Sequence, residues 1–229
     1  MKTVHWELAK DEEEVAARAC RQVLLAANQA IAARGRFRIV LAGGRTPEQT
    51  YRLLSEIDTD WHRWQIYFGD ERCLPVDDPQ RNSLMASRVW LNRVAILPAN
   101  IHAIPAELGP LKAAQSYEPL VREALPFDLV LLGLGGDGHT ASLFPDMPVQ
   151  KKTLVQPVFH APKAPSERVT LSAAALSQSQ DILVLVSGEE KRQALAAWQR
   201  GESLPISTLQ PLGDITAIYD REANPGSPA

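Results

Sequence analysis

The run Phe127-Asp128-Leu129-Val130-Leu131-Leu132 leads without a break into Gly133-Leu134-Gly135-Gly136-Asp137-Gly138-His139-Thr140-Ala141-Ser142-Leu143-Phe144-Pro145. A short apolar run with Asp128 as its single charge predicts a strand buried on both faces, and such strands belong to parallel sheets covered by helices. The glycines that follow let the backbone turn sharply and come close to a ligand. A structural turn uses glycine and accommodates Asp137, but it has no need of an imidazole beside them. His139 is therefore the first candidate for chemistry.

The remaining chain supplies the strand–helix alternation that a parallel sheet requires. Asp11 to Arg34 predicts an amphipathic helix, with acids leading, Val15, Ala19, Val23, Ala27 and Ile31 at a spacing of four, and Arg34-Gly35 closing it. Phe37 to Leu41 predicts a strand, and Ala42-Gly43-Gly44-Arg45 a turn. Thr46 reads as an N-cap, with Pro47 at the first helical position and Gln49 completing a capping box. Strands are further expected over 65–68, 101–104, 153–159, 168–171, 181–186 and 215–219. Helices are expected over 83–92, 111–125 (where Pro119 threatens a kink), 172–178 and 189–200. Leu204 to Pro211 reads as irregular, and Asn224 to Ala229 as a disordered tail. With no repeat or low-complexity linker, 229 residues predict one α/β domain over 1–229.

Bulk properties exclude several classes. A net charge of -3, with no run of like charge beyond Asp11 to Glu14, gives no footprint for nucleic acid or a membrane surface. Cys20 and Cys73 lie too far apart for a CxxC site, and the five histidines form neither HxH nor HExxH, so neither a disulfide framework nor a metal is expected. The first residues lack an apolar signal segment, and no run reaches transmembrane length, which makes the cytoplasm the expected compartment.

Ligands of open parallel sheets sit beyond the carboxyl ends of the strands. Four segments put unusual residues there: Gly43-Gly44-Arg45-Thr46, Asp70-Glu71-Arg72, the Gly-Asp-Gly-His turn, and Ser187-Gly188-Glu189-Glu190-Lys191. Gly43 to Thr46 suits a phosphate at a helix N-terminus, or is simply a capped helix after a tight turn. Asp70-Glu71-Arg72 is either a solvated charge cluster or a place where Arg72 binds an anionic oxygen and Asp70 orients it. Arg168 opens a β-rich run. Lys191 stands in the first turn of a helix, where a bound phosphate or a pairing with Glu189 or Glu190 would offset an unfavourable dipole. Gly133-x-Gly135-x-x-Gly138 matches the dinucleotide fingerprint literally. However, no acidic residue ends a strand about twenty positions on, and Pro145 and Pro148 stop a following helix.

Taken together, these blocks resemble the 6-phosphogluconolactonases: Ala42 to Pro47, Gly69 to Pro75 with Asn82-Ser83, Gly133 to Pro145, Pro162 to Leu171, Ser187-Gly188-x-x-Lys191, and the last strand leading to Asp220. The resemblance spans nearly the whole chain. The related glucosamine-6-phosphate deaminases carry Asn-Met-Asp-Glu-Tyr and Ile-Ala-Phe-Asn-Glu-Pro where this chain has 68–72 and 140–145. Ala42 and Arg45 depart from the serines usual in the first block.

The resemblance implies a three-layer Rossmann-like fold, a mainly parallel sheet flanked by helices, of the glucosamine-6-phosphate deaminase/ribose-5-phosphate isomerase type. It implies hydrolysis of 6-phosphoglucono-1,5-lactone with no cofactor. His139 would be the base for water, with Asp137 or a backbone carbonyl fixing its tautomer. Arg72 and glycine-turn N–H groups would meet the oxyanion. Gly43, Gly44, Arg45, Thr46, Asp70, Arg168 and Lys191 would bind substrate. A phosphorylated sugar lactone is the expected partner, and a monomer or weak homodimer the expected state. A deaminase-type enzyme of the same fold and a sugar-phosphate sensor without turnover are the rivals.

Overall fold

The computed structural model describes residues 2–147 and 153–226. In chain order its main elements are β1 (Val4–Leu8), α1 (Glu12–Arg34), β2 (Phe37–Leu41), α2 (Arg45–Leu54), β3 (Trp64–Phe68) and β4 (Asp70–Arg72). Next come α3 (Asn82–Ala86), β5 (Ile101–His102), α4 (Pro110–Ala124), β6 (Phe127–Gly133), β7 (Val155–Val158) and β8 (Arg168–Leu171). The chain ends with α5 (Ala173–Ser177), β9 (Ser179–Val186), α6 (Arg192–Gln199) and β10 (Ile215–Tyr219).

Seven strands form a parallel sheet in the order β1-β10-β9-β6-β2-β3-β5. The apolar run of β6 sits in its middle and is buried from Phe127 to Leu132. Its lone charge is satisfied: Asp128 accepts from the Arg34 guanidinium and from the Arg38 backbone N–H at 2.7 Å. Such partners are what make a buried carboxylate tolerable. Helix α1 begins as its sequence implies, with the Asp11 side chain accepting from the Glu14 N–H at 2.9 Å, and it ends at Gly35. Trp61, Trp64, Trp90, Phe37 and Tyr51 pack edge-on or stacked under the β2–β3 side of the sheet.

Several expectations need correction. β1 was not foreseen; it is an edge strand with no buried residue, and among the described residues it pairs only with β10. Asp70-Glu71-Arg72 is neither a solvated cluster nor a mere strand end. It forms β4, which pairs antiparallel with β8, and β8 with β7, in a separate three-stranded sheet. The expected Ser83–Asn92 helix divides into α3 and a π-helical turn over Ser87–Leu91. Pro119 is accommodated inside α4. The expected Ile101–Ile104 strand is reduced to Ile101–His102. The irregular stretch after Leu204 contains a 3₁₀ turn, Pro205–Thr208. Of the expected disordered tail, Asn224 to Gly226 end in a turn, and 227–229 lie outside the described residues, as does Pro148. Among the described residues no helix is long and apolar enough to cross a membrane.

Candidate active site

The strand order reverses between β2 and β6. The sheet grows from β2 through β3 to β5 on one side and from β6 through β9 to β10 on the other. The loops leaving the carboxyl ends of two such strands diverge, and a crevice opens between them. Here that crevice is a cleft of about 390 Å³ walled by Ala42–Pro47 after β2 and Gly133–Gly135, His139 and Ala141 after β6. Residues from β4, from the β7–β8 loop and from the turn after β9 complete it.

The turn after β6 folds back on itself. The Gly135 N–H donates to the His139 carbonyl at 2.7 Å, and the Thr140 hydroxyl to the Gly133 carbonyl at 2.8 Å. The His139 ring lies directly over Gly135, where a Cβ would collide with the imidazole and with the Asp137 carboxylate. His139 Nδ1 bonds Asp137 Oδ1. An ionised carboxylate only accepts, so Nδ1 carries the proton and Nε2 is left as the basic nitrogen. Of the two orienting groups the sequence left open, the carboxylate is the one in place.

Burial lowers the histidine pKa below its usual value. Asp137 pulls the other way and the Lys163 ammonium adds to the lowering. Asp137 is itself held below the usual carboxylate value. Burial alone would raise it, but its hydrogen bond with His139 and the charges of His139 and Lys163 outweigh that effect. The pair is thus a neutral imidazole on a carboxylate. Because a lowered pKa leaves the imidazole deprotonated further into acid, the acid limb of kcat/KM for any reaction that uses His139 as its base should fall below about pH 6.5. A measured pH profile of turnover tests this, and a limb above about pH 6.5 would contradict it.

The β2 side of the cleft is a helix start. Sequence assigns the cap to Thr46, but α2 begins at Arg45 with Gly44 before it at φ 109, and no side chain among the described residues caps it. Gly44 takes a conformation that side chains resist, and the helix opens two residues early. The first helical bond runs from the Glu48 N–H to the Gly44 carbonyl, 3.0 Å, leaving the Arg45 and Thr46 N–H groups without partners inside the helix. The Thr46 hydroxyl, displaced from capping, donates to Glu12 Oε1 at 2.9 Å. Buried Tyr51 fixes the strand end: its hydroxyl donates to the Ala42 carbonyl at 2.8 Å and accepts from the Ala42 N–H at 3.0 Å.

Asp70, Arg72, Arg168 and Lys191 all reach the cleft. Asp70 is buried and accepts from Ser142 Oγ at 2.6 Å and from Asn82 Nδ2 at 3.2 Å. Arg72 Nη1 is engaged by the Gln80 carbonyl. Arg168 is 5 % exposed, and its guanidinium donates to the carbonyls of Pro165 (3.0 Å), Lys163 and Ala164 (both 3.2 Å). It therefore anchors the β7–β8 loop as well as facing the cleft. Lys191 lies in a 3₁₀ turn that precedes α6, and its Nζ is 3.7 Å from Glu190 Oε1, so the pairing that competed with phosphate in the sequence reading is present.

Sequence reasoning missed Lys163, whose Nζ lies 3.4 Å from Asp137 Oδ1, and Glu12 and Asn82, which also line the cleft, as does Glu190, read there only as a partner for Lys191. It also passed over Glu71, fully buried and accepting from the N–H groups of Arg72, Asn82 and Ser83 and from the Ser83 hydroxyl at 2.7–2.9 Å. Asn82 and Lys163 stood within blocks already singled out; for Glu12 the helical pattern carried no signal. Among the described residues no three His, Cys, Asp or Glu side chains group to hold a metal.

At the switch point of this α/β sheet, the cleft sets the His139–Asp137 pair and several basic side chains across from the open start of α2, an arrangement suited to a small anion. The chain belongs to the family of glucosamine-6-phosphate isomerases and 6-phosphogluconolactonases, whose sequence profile matches residues 10–217. It is 35 % identical to a 6-phosphogluconolactonase of Synechocystis sp., over 85 % of this chain and 86 % of that one. It is 33 % identical to a 6-phosphogluconolactonase of Nostoc sp., over 95 % of each. The crystal structure of the Thermotoga maritima 6-phosphogluconolactonase superposes with a TM-score of 0.88 at 30 % identity, covering 95 % of this chain and all of that one.

Proposed function

We propose that the cleft hydrolyses 6-phosphoglucono-1,5-lactone to 6-phosphogluconate, the second step of the oxidative pentose phosphate pathway. The observation that carries this reading is the His139–Asp137 pair facing the open start of α2 across one cleft. A lactone is an activated ester, so water suffices as nucleophile once a base is held beside it. His139 Nε2 takes a proton as water oxygen bonds to the lactone carbonyl carbon. The resulting oxyanion is met by Arg72 and by N–H groups of the glycine turn. When it collapses, the bond from the carbonyl carbon to the ring oxygen breaks, and that oxygen takes the proton back from His139 as it becomes a hydroxyl.

Lys191, Arg45, Nη1 of Arg168 and the N–H groups at Gly43 to Thr46 hold the phosphate. Asp70, fixed by Ser142 and Asn82, supports a cation or a sugar hydroxyl. The cytoplasm is the compartment we assign, and the phosphorylated lactone is the only partner the cleft requires.

The test is turnover. Lactone hydrolysis should exceed the spontaneous rate, and glucosamine 6-phosphate should release no ammonia. Ammonia release without lactone hydrolysis would replace this reading by the deaminase one. Within it, Lys191→Ala should raise KM for the lactone about 10-fold and change kcat by less than about 3-fold, because a remote phosphate contact is made equally in ground and transition states. Steady-state kinetics read this split, and a fall confined to kcat would remove Lys191 from phosphate binding.

A further inference from the structure

We infer that Glu12 competes internally for the donors a substrate phosphate needs and so sets how tightly the cleft holds any phosphate group, free or carried on a sugar. This rests on the phosphate position proposed above. Glu12 stands in the first turn of α1, and its side chain is 18 % exposed on the wall of the cleft. One of its oxygens takes both side-chain donors of the α2 start: Arg45 Nε–H at 2.8 Å and the Thr46 hydroxyl at 2.9 Å. A carboxylate oxygen with two such donors occupies the chemical role of a phosphate oxygen.

The helix does not need Glu12 for its own sake. Asp11 supplies the cap, and Glu13 and Glu14 already place negative charge at the first turn. Nor is the effect local to one cation. Glu190, beside Lys191, also acts on Arg45, so both cations at this end are matched by carboxylates. An arriving phosphate must share or displace Glu12's two hydrogen bonds and then lie near its charge, and a side chain this enclosed has little room to swing into solvent.

Calorimetric titration of wild type, E12Q, R45A and the double variant with inorganic phosphate, 6-phosphogluconate and gluconate tests this. Glutamine keeps an acceptor for both donors and removes only the charge. E12Q should bind inorganic phosphate and 6-phosphogluconate about 3- to 10-fold tighter, leave gluconate unchanged, and show a smaller gain in the R45A background. Thermal melts alongside confirm that each variant is folded, and E12A serves as the second variant if E12Q is not. Equal or weaker binding of 6-phosphogluconate by the folded variant, while wild type still prefers it to gluconate, overturns the role of Glu12 alone. Wild type that does not distinguish 6-phosphogluconate from gluconate overturns the phosphate position and this inference with it.

Discussion

Replacing His139 by alanine should reduce lactone hydrolysis by about 10²- to 10⁴-fold in kcat, with KM altered by less than about 3-fold. The size follows from what is lost and what stays. On the proposed mechanism the variant loses the nitrogen that takes the water proton. It keeps Arg72, the glycine-turn N–H groups, and the cations and helix start at the other side of the cleft. Donors aimed at a developing oxyanion contribute about 10²- to 10³-fold on their own, so residual activity above the spontaneous rate is part of the expectation. The fold should survive, because among the described residues the His139 side chain hydrogen-bonds only to Asp137, and the turn is held by backbone bonds and by Thr140. A loss below about 10-fold in a variant that melts like wild type would show that another group activates water.

The elements that local pattern alone determines were readable from sequence. Phe127 to Leu132 is apolar apart from Asp128 because it is covered on both faces, and α1 carries its apolar stripe within its own residues and its cap and closing glycine immediately beside them. β1 escaped because an edge strand with one neighbour needs no apolar run. β4 escaped for a different reason. Asp70, Glu71 and Arg72 look solvated until Asn82, Ser83 and Ser142 arrive from elsewhere to satisfy the two carboxylates.

The candidate site divides along the same line. His139 and the glycines were legible because a turn has no use for an imidazole. Gly43 to Thr46 was legible as a helix start, but the cap was misplaced, since the conformation at Gly44 and the pull of Glu12 on Thr46 are tertiary facts. Lys163 reaches Asp137 only because Arg168, from the following strand, grips the carbonyls of Lys163, Ala164 and Pro165. No spacing in the sequence encodes that grip.

Asp137→Asn should lower kcat by about 10²-fold or more while leaving the ring of His139 close to its place. An ionised Asp137 requires the proton on Nδ1, which leaves Nε2 able to accept one from water. An asparagine amide can turn its N–H₂ toward Nδ1 and so favour the opposite tautomer, with Nε2 protonated and useless as a base. Charge and tautomer make different predictions for the companion variant. Asp137→Ala removes the charge that raises the histidine pKa but imposes no wrong tautomer, so it should lose less in kcat than Asp137→Asn. In both, the acid limb should move further into acid, because burial and Lys163 then act on His139 without opposition from Asp137. Measured pH profiles of kcat/KM for the three proteins separate the effects. If Asp137→Ala is the more damaged of the two, the carboxylate serves through its charge on the imidazolium formed during attack, and tautomer selection is the lesser part of its role.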